Sequence, residues 1–266
     1  MNETAPLPAI EIINVSKDYD KPVLHNINLS IPQGQVIGYI GANGAGKSTT
    51  VKILTGLITE YEGQVNIMGR DFREHTQELK ALIGYIPENA ALYEMLTPLE
   101  YLQFIGGLYG MDQQVIDERS RRMLALFGLE NALNQRMDGF SKGMKQKVLV
   151  TSALIHDPQI VLMDEPLSGL DANAVILLKE VITGLKKAGK TILYCSHIMD
   201  VVEKVSDRIV LIRDGRIMAD GTLNELREQA GSESLEDIFA MLTGRDRSQD
   251  HAGDFISIFK KDEEAR

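Results

Sequence analysis

The run Gly41-Ala42-Asn43-Gly44-Ala45-Gly46-Lys47-Ser48 matches the phosphate-loop pattern at every defined position. Glycines let backbone N–H groups approach phosphate oxygens closely, and a helix starting there adds the positive end of its dipole. Lys47 is placed to neutralise β- and γ-phosphates, and Ser48 to offer its hydroxyl to Mg²⁺. Gly41, Asn43, Gly44, Ala45, Gly46 and Thr49 would complete the cradle around the nucleotide. A second group ends the apolar run Ile160-Val-Leu-Met163 with Asp164-Glu165-Pro166. A buried strand delivering two acids at its C-terminal end puts them where α/β sheets bind ligands. With a phosphate loop upstream, Asp164 reads as a Mg²⁺ ligand, and Glu165 as the base that polarises an attacking water.

Strands and helices must carry these groups. Ile10–Val15 and Val23–Ile31 alternate polar and apolar residues like half-buried strands, and Pro32-Gln33-Gly34 marks a turn. Val36–Ile40 is a short apolar strand leading into the glycines, followed by a helical pattern over Lys47–Leu57. Gly63–Met68 and Leu82–Ile86 read as strands. From Thr97 to Ile155 the pattern is helical. Thr97-Pro98-Leu99-Glu100 is a cap with proline and glutamate in the first turn, continued by Leu102, Ile105 and Leu108 on one face. A second helix spans Gln113–Phe127 and breaks at Gly128, and a third begins at Ser141. Strand and helix then alternate again: Ile160–Met163, Ala172–Lys187 and Thr191–Cys195. Asp214-Gly215 joins Arg208–Ile212 and Arg216–Ala219 as a hairpin.

The remaining motifs carry a family resemblance. Phe140-Ser141-Lys142-Gly143-Met144-Lys145-Gln146 resembles the signature segment of ABC ATPases, Leu-Ser-Gly-Gly-Gln, matching at Ser141 and Gly143 and departing at Lys142 and Met144. Ser168-Gly169-Leu170-Asp171 resembles the D-loop, and His197 is similar to the switch histidine that contacts the γ-phosphate. Tyr19, after Val15-Ser-Lys-Asp, is similar to the aromatic that stacks on adenine. Ile83-Gly-Tyr-Ile-Pro87 resembles the lead-in to the Q-loop, but Glu88 stands where the family has glutamine; it still offers an oxygen toward Mg²⁺. Ser-x-Gly-Met-x-Gln and the segment Ser234–Gly244 resemble ATPases of type-2 ABC exporters, the drug, polysaccharide and sodium exporter-like systems.

The resemblance runs from about Ile10 to Gly221. It implies an α/β fold: a phosphate-loop NTPase core with an N-terminal antiparallel β subdomain and an inserted α-helical subdomain. The expected organisation is an ATPase domain over 8–221, its helical insertion near 90–156, and a helical extension over 222–266 with an acidic end. It further implies an ATP- and Mg²⁺-dependent ATPase with Lys47, Glu165 and His197 in catalysis. Ser141, Gly143 and Asp171 of one subunit would meet nucleotide held by another in a head-to-tail dimer, of this chain or a homologous one. The expected role is to drive a separate polytopic permease, with the ATPase peripheral on the cytoplasmic face of the plasma membrane. A non-transport ABC ATPase regulating an envelope complex would carry the same motifs. Repair- or translation-type relatives need a coiled-coil insertion or tandem cores, which this sequence lacks.

Composition agrees with these expectations. At 44% hydrophobic and 25% charged residues the chain resembles ordinary globular proteins. A net charge of −10 argues against nonspecific nucleic-acid binding. Residues 222–266 contribute 11 acidic and 6 basic side chains to that balance. The single cysteine, Cys195, excludes an internal disulfide and reads as a small buried hydrophobe. No apolar run reaches membrane-spanning length, and the first residues lack the pattern of a signal peptide.

Overall fold

A computed structural model describes residues 7–89, 92–232 and 234–242. Two sheets organise them. Strands β1 (Ile10–Asp18), β2 (Pro22–Ile31), β4 (Glu62–Ile67) and β5 (Arg70–Asp71) form an antiparallel sheet in the order β2-β1-β4-β5. The larger sheet orders β10 (Arg216–Gly221), β9 (Arg208–Arg213), β3 (Val36–Ile40), β8 (Thr191–Cys195), β7 (Ile160–Asp164) and β6 (Ile83–Ile86). All its pairs are parallel except the β9–β10 hairpin. Strands β3, β7 and β8 are buried at every residue, as the centre of a sheet covered on both faces requires.

The side-chain alternation of these central strands separates two cores. Ile37, Tyr39, Ile160, Leu162 and Leu193 face the antiparallel sheet, with α1 (Lys47–Leu54) packed between the sheets. Val36, Ile40, Val161, Met163 and Tyr194 face the helices α6 (Ala172–Lys187) and α7 (Met199–Val205), with α8 (Leu223–Ala230) and α9 (Leu235–Leu242) joining the same core. Gly38 lets α7 close on β3, because a Cβ there would lie 2.4 Å from Cγ1 of Val202. A third core joins α3 (Pro98–Leu108), α4 (Gln113–Leu126) and α5 (Lys142–Leu154), all between β6 and β7 in the chain.

The Thr97–Glu100 capping box is present, with both reciprocal hydrogen bonds made. Other expectations need correction. Helix α1 stops at Leu54 rather than Leu57, because Gly56 turns left-handed at φ 67° and the chain leaves the helix. Strand β1 continues to Asp18 through bulges after Ile12, with Asn14 at φ 51°. On α3, Leu102 is buried, but Leu108 is 69% exposed, because two steps of three residues, at about 100° per residue, carry it about 120° around the helix from Leu102. Two short helices carried no sequence signal: α2 (Thr76–Lys80) buries only Leu79, and the cap residue of α7, Ile198, makes no side-chain cap bond. Helix α8 did carry one. Thr222-Leu-Asn-Glu225 repeats the Thr97–Glu100 spacing and forms the same capping box. Leu235, Ile238 and Phe239, on one face of α9, pack on the core between the larger sheet and α6 and α7. The side chain of Leu242 and the acidic segment after Gly244 lie outside the described residues.

Candidate functional site

Strands β3, β8, β7 and β6 run parallel, so their C-terminal ends share one edge of the sheet. Residue register makes that edge level: Tyr39 and Asp164 both pair with Cys195, and Ile86 pairs with Met163. Each strand therefore releases its next residues at the same height. These are the 41–48 loop after β3, Ser196-His197 after β8, Glu165 after β7 and Pro87-Glu88 after β6. A cavity of about 380 Å³ opens there, lined by Asn43, Gly44, Gly46, Lys47, Ser48, Thr49, Glu88, Asp164 and Glu165, with Val23 from β2.

The loop is shaped by its glycines and its lysine. Gly44 and Gly46 are left-handed, at φ 80° and 110°. A Cβ on Gly46 would also meet Cδ2 of Leu24 at 2.5 Å, so a side chain there would be both strained and obstructed. Lys47 is buried, and its Nζ donates to the carbonyls of Gly41 at 2.7 Å and Ala42 at 3.2 Å. An ammonium has three donors, so two can brace the loop while one remains for a phosphate oxygen. No side chain caps the start of α1, which leaves its first N–H groups for an anion.

Asp164 is only 4% exposed and hydrogen bonds with Ser48, while its Oδ1 has no hydrogen-bond partner. Burial, and then the charges of Glu165 and Glu88, hold its carboxyl above the ordinary carboxylate value; Ser48 and Lys47 pull it down. A buried carboxylate with an unmatched oxygen beside a serine hydroxyl fits a divalent cation. Among the described residues, no group of three or more His, Cys, Asp and Glu side chains could hold a metal by itself. Mg²⁺ takes one or two protein oxygens and completes its shell with water and phosphate, so Ser48 and Asp164 would suffice to hold it.

Glu165 sits at φ 49°, an unfavourable conformation costing on the order of 1–2 kcal/mol for a residue with a Cβ. Its backbone N–H donates to the Cys195 carbonyl at 2.9 Å, which fixes the turn. Nδ1 of His197 lies 2.9 Å from Oε1, and the Ser196 hydroxyl donates to Oε2 at 3.3 Å. The structure thus adds Ser196, fully buried, to the residues that aim Glu165. Only its place between Cys195 and His197 hinted at this. Cys195 is buried beneath the site, and desolvation pushes its thiol well above the ordinary value, in keeping with an inert side chain.

Six of the expected nucleotide contacts do not line this cavity: Gly41 and Ala45, which belong to the loop itself, and Tyr19, Ser141, Gly143 and Asp171. Nor does His197, which reaches it only through Glu165. Tyr19 is exposed at the β1–β2 turn, with the Lys17 ammonium 5.0 Å from its ring centroid. Ser141, Gly143 and Asp171 gather around the start of α5. Ser141 caps α5 by accepting from the Met144 N–H, and Asp171 caps α6 by accepting from Ala174 N–H. Asp171 also pairs with Lys147 at 3.0 Å.

A phosphate-shaped loop, a buried lysine and two acids on one sheet edge define a nucleoside-triphosphate-binding protein of the phosphate-loop class. The sequence profile of the ABC transporter family matches residues 24–168. The ABC-type transporter ATP-binding protein EcsA of Bacillus subtilis (strain 168) is 37% identical over 227 residues, covering 85% of this chain and 92% of EcsA. A solved ATP-binding subunit of an ABC transporter superposes with a TM-score of 0.83 at 34% identity, over 88% of this chain and 99% of that one. The dimeric, post-hydrolysis structure of the ATP-binding cassette MJ0796, bound to ADP and Pi, gives 0.75 at 26% identity, over 80% and 98%. The chain belongs to the ABC transporter family as an ATP-binding subunit.

Proposed function

We propose that the chain hydrolyses ATP and drives a separate permease, in the exporter direction, through ATP-dependent closure of a head-to-tail dimer. The observation that carries this reading is the meeting of Lys47, Ser48, Asp164 and Glu165 in one cavity, with His197 and Ser196 aiming Glu165. Lys47 and the N–H groups at the start of α1 bind and orient the phosphates. Ser48 and Asp164 hold Mg²⁺, which when bound supplies charge neutralisation to the phosphate oxygens. Glu165 orients a water and takes its proton, while His197 and Ser196 fix the carboxylate. Ser141 and Gly143 serve the nucleotide of the second subunit, and Tyr19 stacks on the adenine of its own. The dimeric state of MJ0796 supports association of two such subunits, and the signature form and tail segment support the exporter direction.

A second cavity favours the permease. Leu57, Tyr85, Pro87, Ile105, Leu108 and Tyr109 line an apolar groove of about 470 Å³ between β6 and α3. Leu57 and Leu108 are well exposed beside it, as apolar anchors for a partner would be. Pro87 joins the groove to Glu88 and so to the nucleotide cavity. None of the described helices is long and apolar enough to cross a membrane. In this reading a permease crosses it, and the ATPase docks on its cytoplasmic face through the groove. Tagged protein purified from membranes should bring a polytopic protein with it, and cells lacking that protein should leave the ATPase in the supernatant. Salt-resistant membrane binding without the partner would reject this arrangement. An envelope complex in place of a permease would favour the mechanical-regulator alternative.

Glu88 gives a separate expectation. Either glutamate or glutamine presents an oxygen to the cavity, so Glu88→Gln should keep hydrolysis within about tenfold, a barrier change of about 1.4 kcal/mol. Losing the carboxylate weakens attraction for the cation, so half-maximal activity should need more Mg²⁺. A Mg²⁺ titration of ATPase activity decides it. A loss as deep as that of Glu165→Gln would make Glu88 a base in its own right.

A further inference from the structure

The first turn of α5 is basic, although a helix N-terminus disfavours cations. Lys142 and Lys145 lie there, and Lys147 follows in the second turn. Lys145 is matched by Glu94 at 2.7 Å and Lys147 by Asp171 at 3.0 Å. Lys142 reaches instead to a neutral hydroxyl: its Nζ donates to Oγ of Ser168 at 2.9 Å. Its methylenes cover Gly169, where a Cβ would lie 2.9–3.3 Å from them, and Gly169 is left-handed at φ 80°. Two further approaches join the same segments. A Cβ on Gly143 would come within 2.6 Å of the Gly169 carbonyl. The buried amide of Gln146 donates to the Pro166 carbonyl at 3.2 Å. The turn 166–171 is therefore gripped along its length by the start of α5, directly after Glu165.

We propose that Lys142 is a positioning residue that locks the 166–171 turn to the first turn of α5, so that both meet a second copy of this chain as one block. The proposal rests on the head-to-tail reading given above. The ammonium offsets its unfavourable place at the helix start by fixing a turn whose glycine would otherwise leave it loose. Because neither Lys142 nor Ser168 lines the phosphate cavity of the same chain, the lock governs association rather than nucleotide binding.

The test uses the full chain carrying Glu165→Gln, with Lys142→Met, Lys142→Arg, Ser168→Ala and the Lys142→Met/Ser168→Ala pair added. Lys142→Met keeps most of the stem and removes the ammonium. Hydrogen exchange on the nucleotide-free protein reads the lock directly, and amides 168–170 should exchange about tenfold faster in Lys142→Met. Sedimentation with MgATP reads association, and the dimer Kd should rise about tenfold in Lys142→Met and in Ser168→Ala. The pair should be no worse than either alone, since both remove one interaction. Lys142→Arg should restore most of the effect, and a fluorescent ATP analogue should bind all variants within about twofold of the parent. Unchanged exchange in Lys142→Met, or additive losses in the pair, overturns the proposal. Faster exchange with an unchanged dimer Kd overturns its role in association. A parent that stays monomeric with MgATP rejects the head-to-tail reading and, with it, the role in association; the exchange result then decides the lock alone.

Discussion

Lys47→Ala should lower MgATP affinity at least a hundredfold, about 2.8 kcal/mol, as read by calorimetry. The ammonium is buried and already turned into the loop, 2.7 Å from the Gly41 carbonyl. Alanine removes the charge that pairs with the β- and γ-phosphates; a hydrogen bond to a charged group is worth about 1.5–3 kcal/mol. It also takes the donor from the Gly41 and Ala42 carbonyls, which loosens the cradle before any ligand arrives. The fold should survive, because the loop lies at the end of β3 and the strand itself is held on both sides by β8 and β9. Circular dichroism of the variant checks that point. Unchanged affinity in a folded variant would remove the phosphate loop from the account of this protein.

Glu165→Gln should retain ATP binding and lose hydrolysis by about 10²–10⁴-fold, the range for a positioned general base, or about 3–5 kcal/mol of barrier. Glutamine keeps the size of the side chain and an oxygen within reach of His197 and Ser196, both of which hold the carboxylate now. It pays the same backbone strain at φ 49°, so stability should change little. What it loses is the charge that draws a proton from water. The nucleotide then persists, and so does the closed dimer it favours. Light scattering with and without MgATP should show a dimer only with nucleotide. A variant that hydrolyses normally, or remains monomeric at every ATP concentration, contradicts the assignment of Glu165.

Local chemistry was readable where the residues that act together are neighbours in the chain. Gly41 to Ser48 form one turn because glycine spacing and the following helix are written contiguously. The Thr97–Glu100 and Thr222–Glu225 capping boxes are four-residue patterns of the same kind. Apolar runs located β3, β7 and β8, since a strand buried on both faces needs no polar residue. The short helices α2 and α7 escaped because each has too few turns to establish a period, and their cap residues make no side-chain cap bonds.

The sequence by itself determined the phosphate loop, the acids at the end of β7 and the order along the chain of the strands of the larger sheet, because these depend on side-chain type and spacing along the chain. Only the tertiary structure decided who meets whom. Placing β8 between β3 and β7 brings Ser196 and His197 onto Glu165, a contact that strand patterns cannot specify. Alternation fixes which face a residue takes, while sheet order and register fix its neighbour. The same holds for Lys142, which reads as an odd cation at a helix start until folding sets it against Ser168. Leu108 belongs to an apolar face in the sequence, but the helical period of about 3.6 residues turns it away from Leu102 and leaves it exposed in the lining of the groove.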